Sequence, residues 1–326
     1  MGDRRQDRLT GEWVIIAPDR HLRPHASLHR SPKPETPPAF DPSCPFCPGN
    51  ERLLAEIIKE VPADHPPGWA TRVVANKYPI VEISNGKDAA AAHGHHQVII
   101  ETPRHDVDLA EASLADLKAV IEAYREREIA LGELPGTRAV IPFRNHGRSA
   151  GASLAHPHSQ VIALGWLPPR LQAVKRRAIA FHRRSGRCLL CDILGEAASS
   201  ERLIAENKGF AAFIPFAAMA PFETWIVPKR HDSRFTAMNS GEIRDFAALL
   251  QGILAALKTA LDDPPYNYAI ETFLDTGSAA SALHWRLRLV PNMAAPAGFE
   301  LGAGLTVNPS SPEADGAVLR SARPST

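Results

Sequence analysis

Net charge is almost absent from this chain. Its 37 Lys and Arg stand against 36 Asp and Glu, leaving +1 over 326 residues. A footprint for nucleic acid or an anionic membrane surface is therefore lacking. Long apolar runs are missing as well, and none approaches the roughly 18 residues of a transmembrane helix. Met1-Gly2-Asp3-Arg4-Arg5-Gln6-Asp7-Arg8 has no apolar stretch behind it, so no signal peptide is expected and a cytoplasmic location is. Cysteine is scarce: there are four, all in two Cys-x-x-Cys pairs. What is plentiful is proline, 29 residues concentrated at 32–48 and 62–67, which favours many short strands and ordered loops over long bundles. With 44% hydrophobic and 22% charged residues the composition is globular, and the length allows a large core or two ordinary domains.

The stretch Ala155-His156-Pro157-His158-Ser159-Gln160-Val161 organises the rest. Read as a strand, it turns His156, His158 and Gln160 to one face. Pro157 offers no N–H, which suits an edge position. Gly147, Gly151 and the small residues Ser149, Ala150, Ala152 and Ser153 come just before, and let a backbone approach a phosphate closely. Two core histidines in a small-residue strand is the plainer reading of the same stretch.

Residues 8–20 read as a turn and a buried strand, and 44–50 as a tight knuckle. Strands are expected at 72–78, 97–102, 138–144 and 156–164, with a helix over 108–131 from its apolar spacing. The basic run Lys175-Arg176-Arg177 to Arg187 reads as a solvated helix face. The pattern then repeats. Residues 202–208 echo 72–77, and 225–232 echo 99–106. A helix at 241–261 echoes 108–131, and 283–287 echo 155–159. His105 to His156 is 51 positions and His231 to His284 is 53. This is an internal duplication of about 150 residues per copy, too long a period for a solenoid.

Each copy holds Cys-x-x-Cys, a His shortly after a Pro, and a second His late on a strand. Cys44, Cys47, His105 and His156 form one Cys₂His₂ set. Cys188, Cys191, His231 and His284 form the other. Two thiolates and two imidazoles suit tetrahedral zinc, and four protein ligands leave no open position, so both sites are expected to be structural. A single such cysteine pair in a cytosolic protein can also be a redox pair; two, each matched to equivalently spaced histidines, favour metal. The copies differ where chemistry is expected: His158 follows the metal histidine by two residues in copy one, whereas Arg286 holds that place in copy two. One reactive imidazole is expected, a nucleophile toward phosphorus if its far nitrogen is held by an acceptor, or a general base.

These motifs resemble the galactose-1-phosphate uridylyltransferase branch of the histidine-triad superfamily. The resemblance runs over nearly the whole chain: Leu9-Thr10-Gly11-Glu12-Trp13, Arg20 and Arg23 before Pro24, the first knuckle, Thr102-Pro103-Arg104-His105, Asn145 to Gln160, and Ala297-Gly298-Phe299-Glu300. It implies that His158 becomes nucleotidylated, with Gln160 as its catalytic partner, and that His156 ligates zinc. It implies phosphate contacts at Arg20, Arg23, Ser153 and Gln160, nucleoside and phosphate contacts around Asn76, Asn145 and Gly151, and a hexose contact at Glu300. It also implies a homodimer in which one subunit helps complete the other's site. Two features depart from the enterobacterial pattern: Ser159 stands for Gly, and Arg288 and Val290 stand where an iron site would be. The second Cys₂His₂ set and the ending 298–304 look instead like the related plant ADP-glucose phosphorylases.

The expectation is an α+β chain of two fused histidine-triad-like units, antiparallel sheets with packed helices, divided as 1–170 (catalytic) and 171–326 (lacking the nucleophile). The main functional expectation is a UDP-glucose–hexose-1-phosphate uridylyltransferase with two zinc ions, acting on a nucleotide sugar and a hexose-1-phosphate by a covalent nucleotidyl-histidine. The alternative is an ADP-glucose phosphorylase with phosphate as acceptor. From another class comes a non-catalytic zinc-stabilised nucleotide-binding protein, which intact His158 and Gln160 oppose. Near-neutral charge, with no basic helix after either knuckle, opposes a nucleic-acid-binding zinc protein.

Overall fold

A computed structural model describes residues 2–22, 37–63, 68–82, 92–293 and 295–324. Arg23 lies outside the described residues. In chain order the elements are β1 (Asp3–Gln6), β2 (Trp13–Ile16), β3 (Ile57–Pro62), β4 (Trp69–Ala75), β5 (Gly94–Ile100), α1 (Leu114–Gly132), β6 (Ala139–His146), β7 (His158–Leu164), α2 (Pro169–Ser185) and α3 (Leu189–Ala198). There follow β8 (Leu203–Glu206), β9 (Phe210–Phe213), β10 (Thr224–Pro228), α4 (Ser240–Leu261), β11 (Tyr266–Glu271), β12 (Arg286–Pro291), α5 (Gly298–Ala303), β13 (Thr306–Asn308) and α6 (Pro312–Ser321).

Among the described residues, ten strands form one sheet in the order β3-β4-β5-β7-β6-β11-β12-β10-β9-β8. Read inward from each edge, the halves follow the same path, with β8 to β12 taking the places of β3 to β7. The fold is α+β, as expected. The two antiparallel sheets, however, are not separate: β6 and β11 pair antiparallel, Tyr266 opposite His146 and Ala269 opposite Phe143, so the halves fuse edge to edge. Each seals the edge the other would expose. Three further strands make a small sheet, β1-β2-β13, whose β2–β13 pair is parallel.

Helix ends explain where the sequence reading drifted. α1 was expected from residue 108 but starts at Leu114, because Ser113 caps it by accepting the Asp116 N–H. Asp108 is drawn away to bond the guanidinium of Arg144 at 2.6 Å. α4 falls where expected: Asn239 accepts the Glu242 N–H while the Glu242 carboxylate accepts the Asn239 N–H, a reciprocal pair that fixes the first turn. The basic run lies on α2, largely exposed.

Alternation assigns the two faces of the sheet. On one face Val73, Ile99, Val161, Ile226 and Leu287 pack under α1 and α4, with Trp285 buried among Phe210, Phe235 and Phe246. On the other, Val74, Val98 and Ile100 pack against Cys44, Phe46 and Cys47. Phe213, Trp225 and Val227 pack there against Cys188 and the apolar sides of α2 and α3. Both knuckles therefore sit on the face opposite α1 and α4.

Candidate active site and metal centres

The first knuckle closes through local bonds. The Cys47 N–H reaches the Cys44 carbonyl at 3.3 Å, and the Asn50 amide reaches the same carbonyl at 2.8 Å. Backbone N–H groups of Phe46 and Asp41 point at the sulfurs of Cys44 and Cys47. His105 and His156 complete the group, Cys47 Sγ lying 3.4 and 3.6 Å from their Nδ1 atoms. In the second group, Cys191 Sγ lies 3.4 Å from His231 Nδ1 and 3.3 Å from His284 Nδ1. Within each set all four donor atoms fall within 4.8 Å of one another. A tetrahedral zinc with its usual bond lengths needs donor separations of about 3.3–3.8 Å, so both groups have the chemistry and the spacing to hold a metal ion. In both, the second histidine donates its Nε2–H to a backbone carbonyl, His156 to Thr102 at 2.8 Å and His284 to Pro228 at 3.1 Å. That bond leaves Nδ1 unprotonated toward the sulfurs. Burial pushes His156 down to about 4, so it is neutral, the form that ligates.

His156 and Pro157 precede β7 rather than belonging to it, and β7 is central, between β5 and β6. The edge expected from Pro157 is thus not needed: outside the ladder its missing N–H leaves no gap, and its carbonyl accepts the Glu101 N–H at 3.1 Å. His158 opens β7 on the knuckle face, its ring 5.3 Å from that of Phe46. Its Nδ1–H donates to the His156 carbonyl at 2.8 Å, so Nε2 carries the lone pair. Burial lowers its pKa, and the charge of Arg144 adds to that; the ring is neutral near pH 7. A neutral imidazole with one nitrogen fixed and the other bare is equipped for attack on an electrophile.

Gln160 lies two residues on, on the same face. Its Oε1 accepts from His96 Nε2 at 2.7 Å. Gln160 pairs with Phe143 across β6, and continuing that register sets Asn145 opposite His158. The Oδ1 of Asn145 accepts from Asn267 Nδ2 at 2.8 Å, and Asn267 also bonds the Ala150 carbonyl. Two carboxamides beside His158 therefore have their oxygens occupied and N–H groups to spare, the polarity that suits a phosphoryl group. Gly147 and Gly151, at φ +81° and +93°, bracket the turn between them, in a region that side chains resist. A Cβ on Gly151 would stand 3.6 Å from Asn145 Nδ2. Ser153 is exposed in the following bend, and Asn76 is half-buried at the end of β4.

Arg20 and Glu300 fall elsewhere. Arg20 is exposed beyond β2, its side chain unpartnered among the described residues. Glu300 accepts the N–H groups of Ala297 and Val307, which tie α5 to β13. The small sheet they adjoin docks on the β9–β10 loop through Val14, Ile16 and Ala217 and through Asn308, which bonds the Ala218 carbonyl. β10 is four strands from β7, about 19 Å at the usual strand spacing. Neither residue is hydrogen-bonded to His158, Gln160 or Asn145 among the described residues.

Sequence reasoning missed His96 and Asn267, and a buried network on the helix face. Arg144 bonds Glu101, Asp108 and the Tyr266 hydroxyl. Tyr124 and Tyr268 share a hydrogen bond beside Glu101. His146 stands between Asp108 and Asp263 at 3.3 and 3.2 Å. In copy two the place of the nucleophile is filled: Arg286 stacks 3.7 Å from the Trp225 ring and pairs with Glu271 at 2.6 Å. Arg288 pairs with Glu223 at 2.6 Å.

A neutral, oriented histidine next to two carboxamides and a closed Cys₂His₂ group fits a nucleotidyltransferase. Residues 1–168 match the family described as galactose-1-phosphate uridyl transferase, N-terminal domain, and the chain belongs to that family. An ADP-glucose phosphorylase of Arabidopsis thaliana is 35% identical over 97% of this chain and 92% of its own. A crystal structure of an ADP-glucose phosphorylase from Arabidopsis thaliana with bound ADP-glucose superposes with a TM-score of 0.86 at 34% identity, covering 98% of both chains. A galactose-1-phosphate uridylyltransferase of Haemophilus influenzae is 27% identical over 87% of this chain and 81% of its own. No helix among the described residues is long and apolar enough to cross a membrane.

Proposed function

We propose that the chain transfers an adenylyl group from ADP-glucose to inorganic phosphate through a covalent intermediate on His158. His158 Nε2 attacks the α-phosphorus, and the bond to the bridging oxygen breaks. Glucose-1-phosphate leaves, and adenylyl-His158 remains. Phosphate then attacks the same phosphorus, ADP leaves, and the imidazole returns neutral. Protonated imidazole is a good leaving group, so one hard displacement becomes two easier ones. The observation that carries the chemistry is the Nδ1–H bond from His158 to the His156 carbonyl, which bares Nε2 beside the free amides of Gln160 and Asn145. Similarity along nearly the full length to an ADP-glucose phosphorylase supports the choice of nucleotide, and so does the second Cys₂His₂ group. Zinc fits both groups and supplies structure rather than reactivity, since each set already has four protein donors. The halves 1–170 and 171–326 are proposed as units of unequal duty, the first reactive and the second with Arg286 where the nucleophile would be. The docking of the small sheet, which Arg20 and Glu300 adjoin, on the β9–β10 loop of the second half supports a homodimer, in which Arg20, Arg23 and Glu300 serve the partner's site.

The second reading, uridylyl transfer to a hexose-1-phosphate, is favoured by the family match over residues 1–168 and by the Haemophilus relative. Incubation with label in the α-phosphate of ADP-glucose or of UDP-glucose decides between them. Label retained from ADP-glucose and released by phosphate supports the first; label retained from UDP-glucose and released only by a hexose-1-phosphate supports the second.

A further inference from the structure

His96 has no assigned role, yet it sits between two groups of the proposed site. It lies on β5, buried on the knuckle face, in register with Ile162 and diagonal to Gln160. One backbone hydrogen bond fixes which of its ring nitrogens carries the proton. The Tyr78 N–H donates to Asn76 Oδ1 at 2.8 Å. That bond settles which end of the Asn76 amide is oxygen and turns Nδ2 toward the His96 ring, 3.1 Å from Nε2 and 3.3 Å from Nδ1, so this contact does not choose between the ring nitrogens. The Ile80 N–H also points at Nδ1, at 3.3 Å. A backbone N–H can only donate, so Nδ1 accepts and the ring proton sits on Nε2. Nε2–H in turn meets Gln160 Oε1 at 2.7 Å. The Gln160 amide nitrogen has no partner among the described residues.

We propose that His96 is a positioning residue: its Nε2–H holds the Gln160 carboxamide in the orientation that turns N–H, rather than a carbonyl oxygen, toward the phosphoryl group at His158. A glutamine amide presents nearly the same shape when flipped, but the flipped form aims a partial negative charge at an anion. Packing cannot choose between the two; a donor at Oε1 can. The chain Ile80 N–H, His96, Gln160 makes that choice from the main chain outward. The inference rests on the reading that Gln160 donates to the phosphoryl group.

The test compares His96→Phe, His96→Gln, Gln160→Ala and the double variant His96→Phe/Gln160→Ala in the full-length, metal-loaded protein. The readouts are the single-turnover rate and the end-point of labelling from α-phosphate-labelled ADP-glucose, or from UDP-glucose if that is the sugar that labels. His96→Phe keeps a ring in the space and removes the donor. It should slow labelling on the order of 10-fold to 10²-fold, approaching the cost of a lost oxyanion donor, with end-point, metal content and melting temperature near wild type. His96→Gln restores an N–H and should recover most of the rate. In the Gln160→Ala background, His96→Phe should cost less than about twofold, because the two residues act as one unit. A wild-type rate for His96→Phe alongside a slow Gln160→Ala overturns the inference and leaves the transfer reading standing. An equal loss from His96→Phe with and without Gln160 overturns it too. A fast Gln160→Ala removes the donor role of Gln160 and the inference with it.

Discussion

Glu128 lies on α1 in the centre of the core, 1% exposed. Its Oε1 accepts the Thr272 hydroxyl at 2.9 Å, and Oε2 is buried without a partner. Burial raises its pKa to about 8 from an ordinary 4.5, against the smaller pull of the Thr272 bond and Arg234. At pH 7 it is therefore a protonated acid in the native state and a carboxylate in the unfolded one. The sign follows from linkage: the native state holds a proton that the unfolded chain releases above pH 4.5, so stability is full below that pH and falls as pH rises toward 8. At 1.36 kcal/mol per pKa unit the separation sets a ceiling of about 5 kcal/mol on that loss. Glu128→Gln mimics the protonated acid and does not titrate. In urea unfolding it should match wild type within about 1 kcal/mol near pH 5, and exceed it by about 2–5 kcal/mol at pH 8.5. Parallel pH profiles for the two proteins would refute a neutral buried Glu128. His146 adds a slope of the same sign: despite burial, its bonds to Asp108 and Asp263 raise it to about 9, so its contribution is full below pH 6.5 and lost through pH 9.

The remaining predictions concern metal and assembly. Cys188→Ser should halve the zinc found by elemental analysis and lower the melting temperature while leaving transfer in the folded fraction. Cys44→Ser should remove transfer as well, because the first knuckle holds His156, whose carbonyl orients His158; equal effects of the two variants on transfer would contradict the division. If Arg20 serves the partner's site, inactive Arg20→Ala and inactive His158→Asn, mixed with subunit exchange, should regain about a quarter of wild-type activity, since half of the two-fold dimers are hybrids with one native site each. No recovery on mixing means that Arg20 acts within its own chain.

Legibility in the sequence followed how local each signal was. The paired Cys-x-x-Cys and histidine spacings survive intact because a closed four-ligand site ties sequence spacing to a fixed distance; both quartets assemble as read. The helix at α4 was placed as an echo of the first copy's helix and its start fell within one residue, whereas α1 was placed six residues early. Nothing local shows that Asp108 is taken by Arg144 thirty-six residues on. Pairing of β6 with β11, and with it the contact of Asn267 on Asn145, is a long-range choice that periodicity does not encode. His96 was hidden for a related reason: in β5 it reads as one more strand residue, and only the register against β7 sets it beside Gln160. Arg20 and Glu300 carried family signals but no geometric ones; in the structure Arg20 follows β2 and Glu300 lies in α5, just before β13.

The central claim is that His158 Nε2 forms a bond to phosphorus. Its most direct test is mass spectrometry of the intact protein and its peptides after mixing with nucleotide sugar and no acceptor. One nucleotidyl adduct per chain is predicted, acid-labile, mapping to the peptide with His158, absent from His158→Asn and lost on adding acceptor. An unmodified wild-type chain that still turns over, with initial-rate lines that intersect rather than run parallel, would contradict the covalent route and leave His158 as a general base.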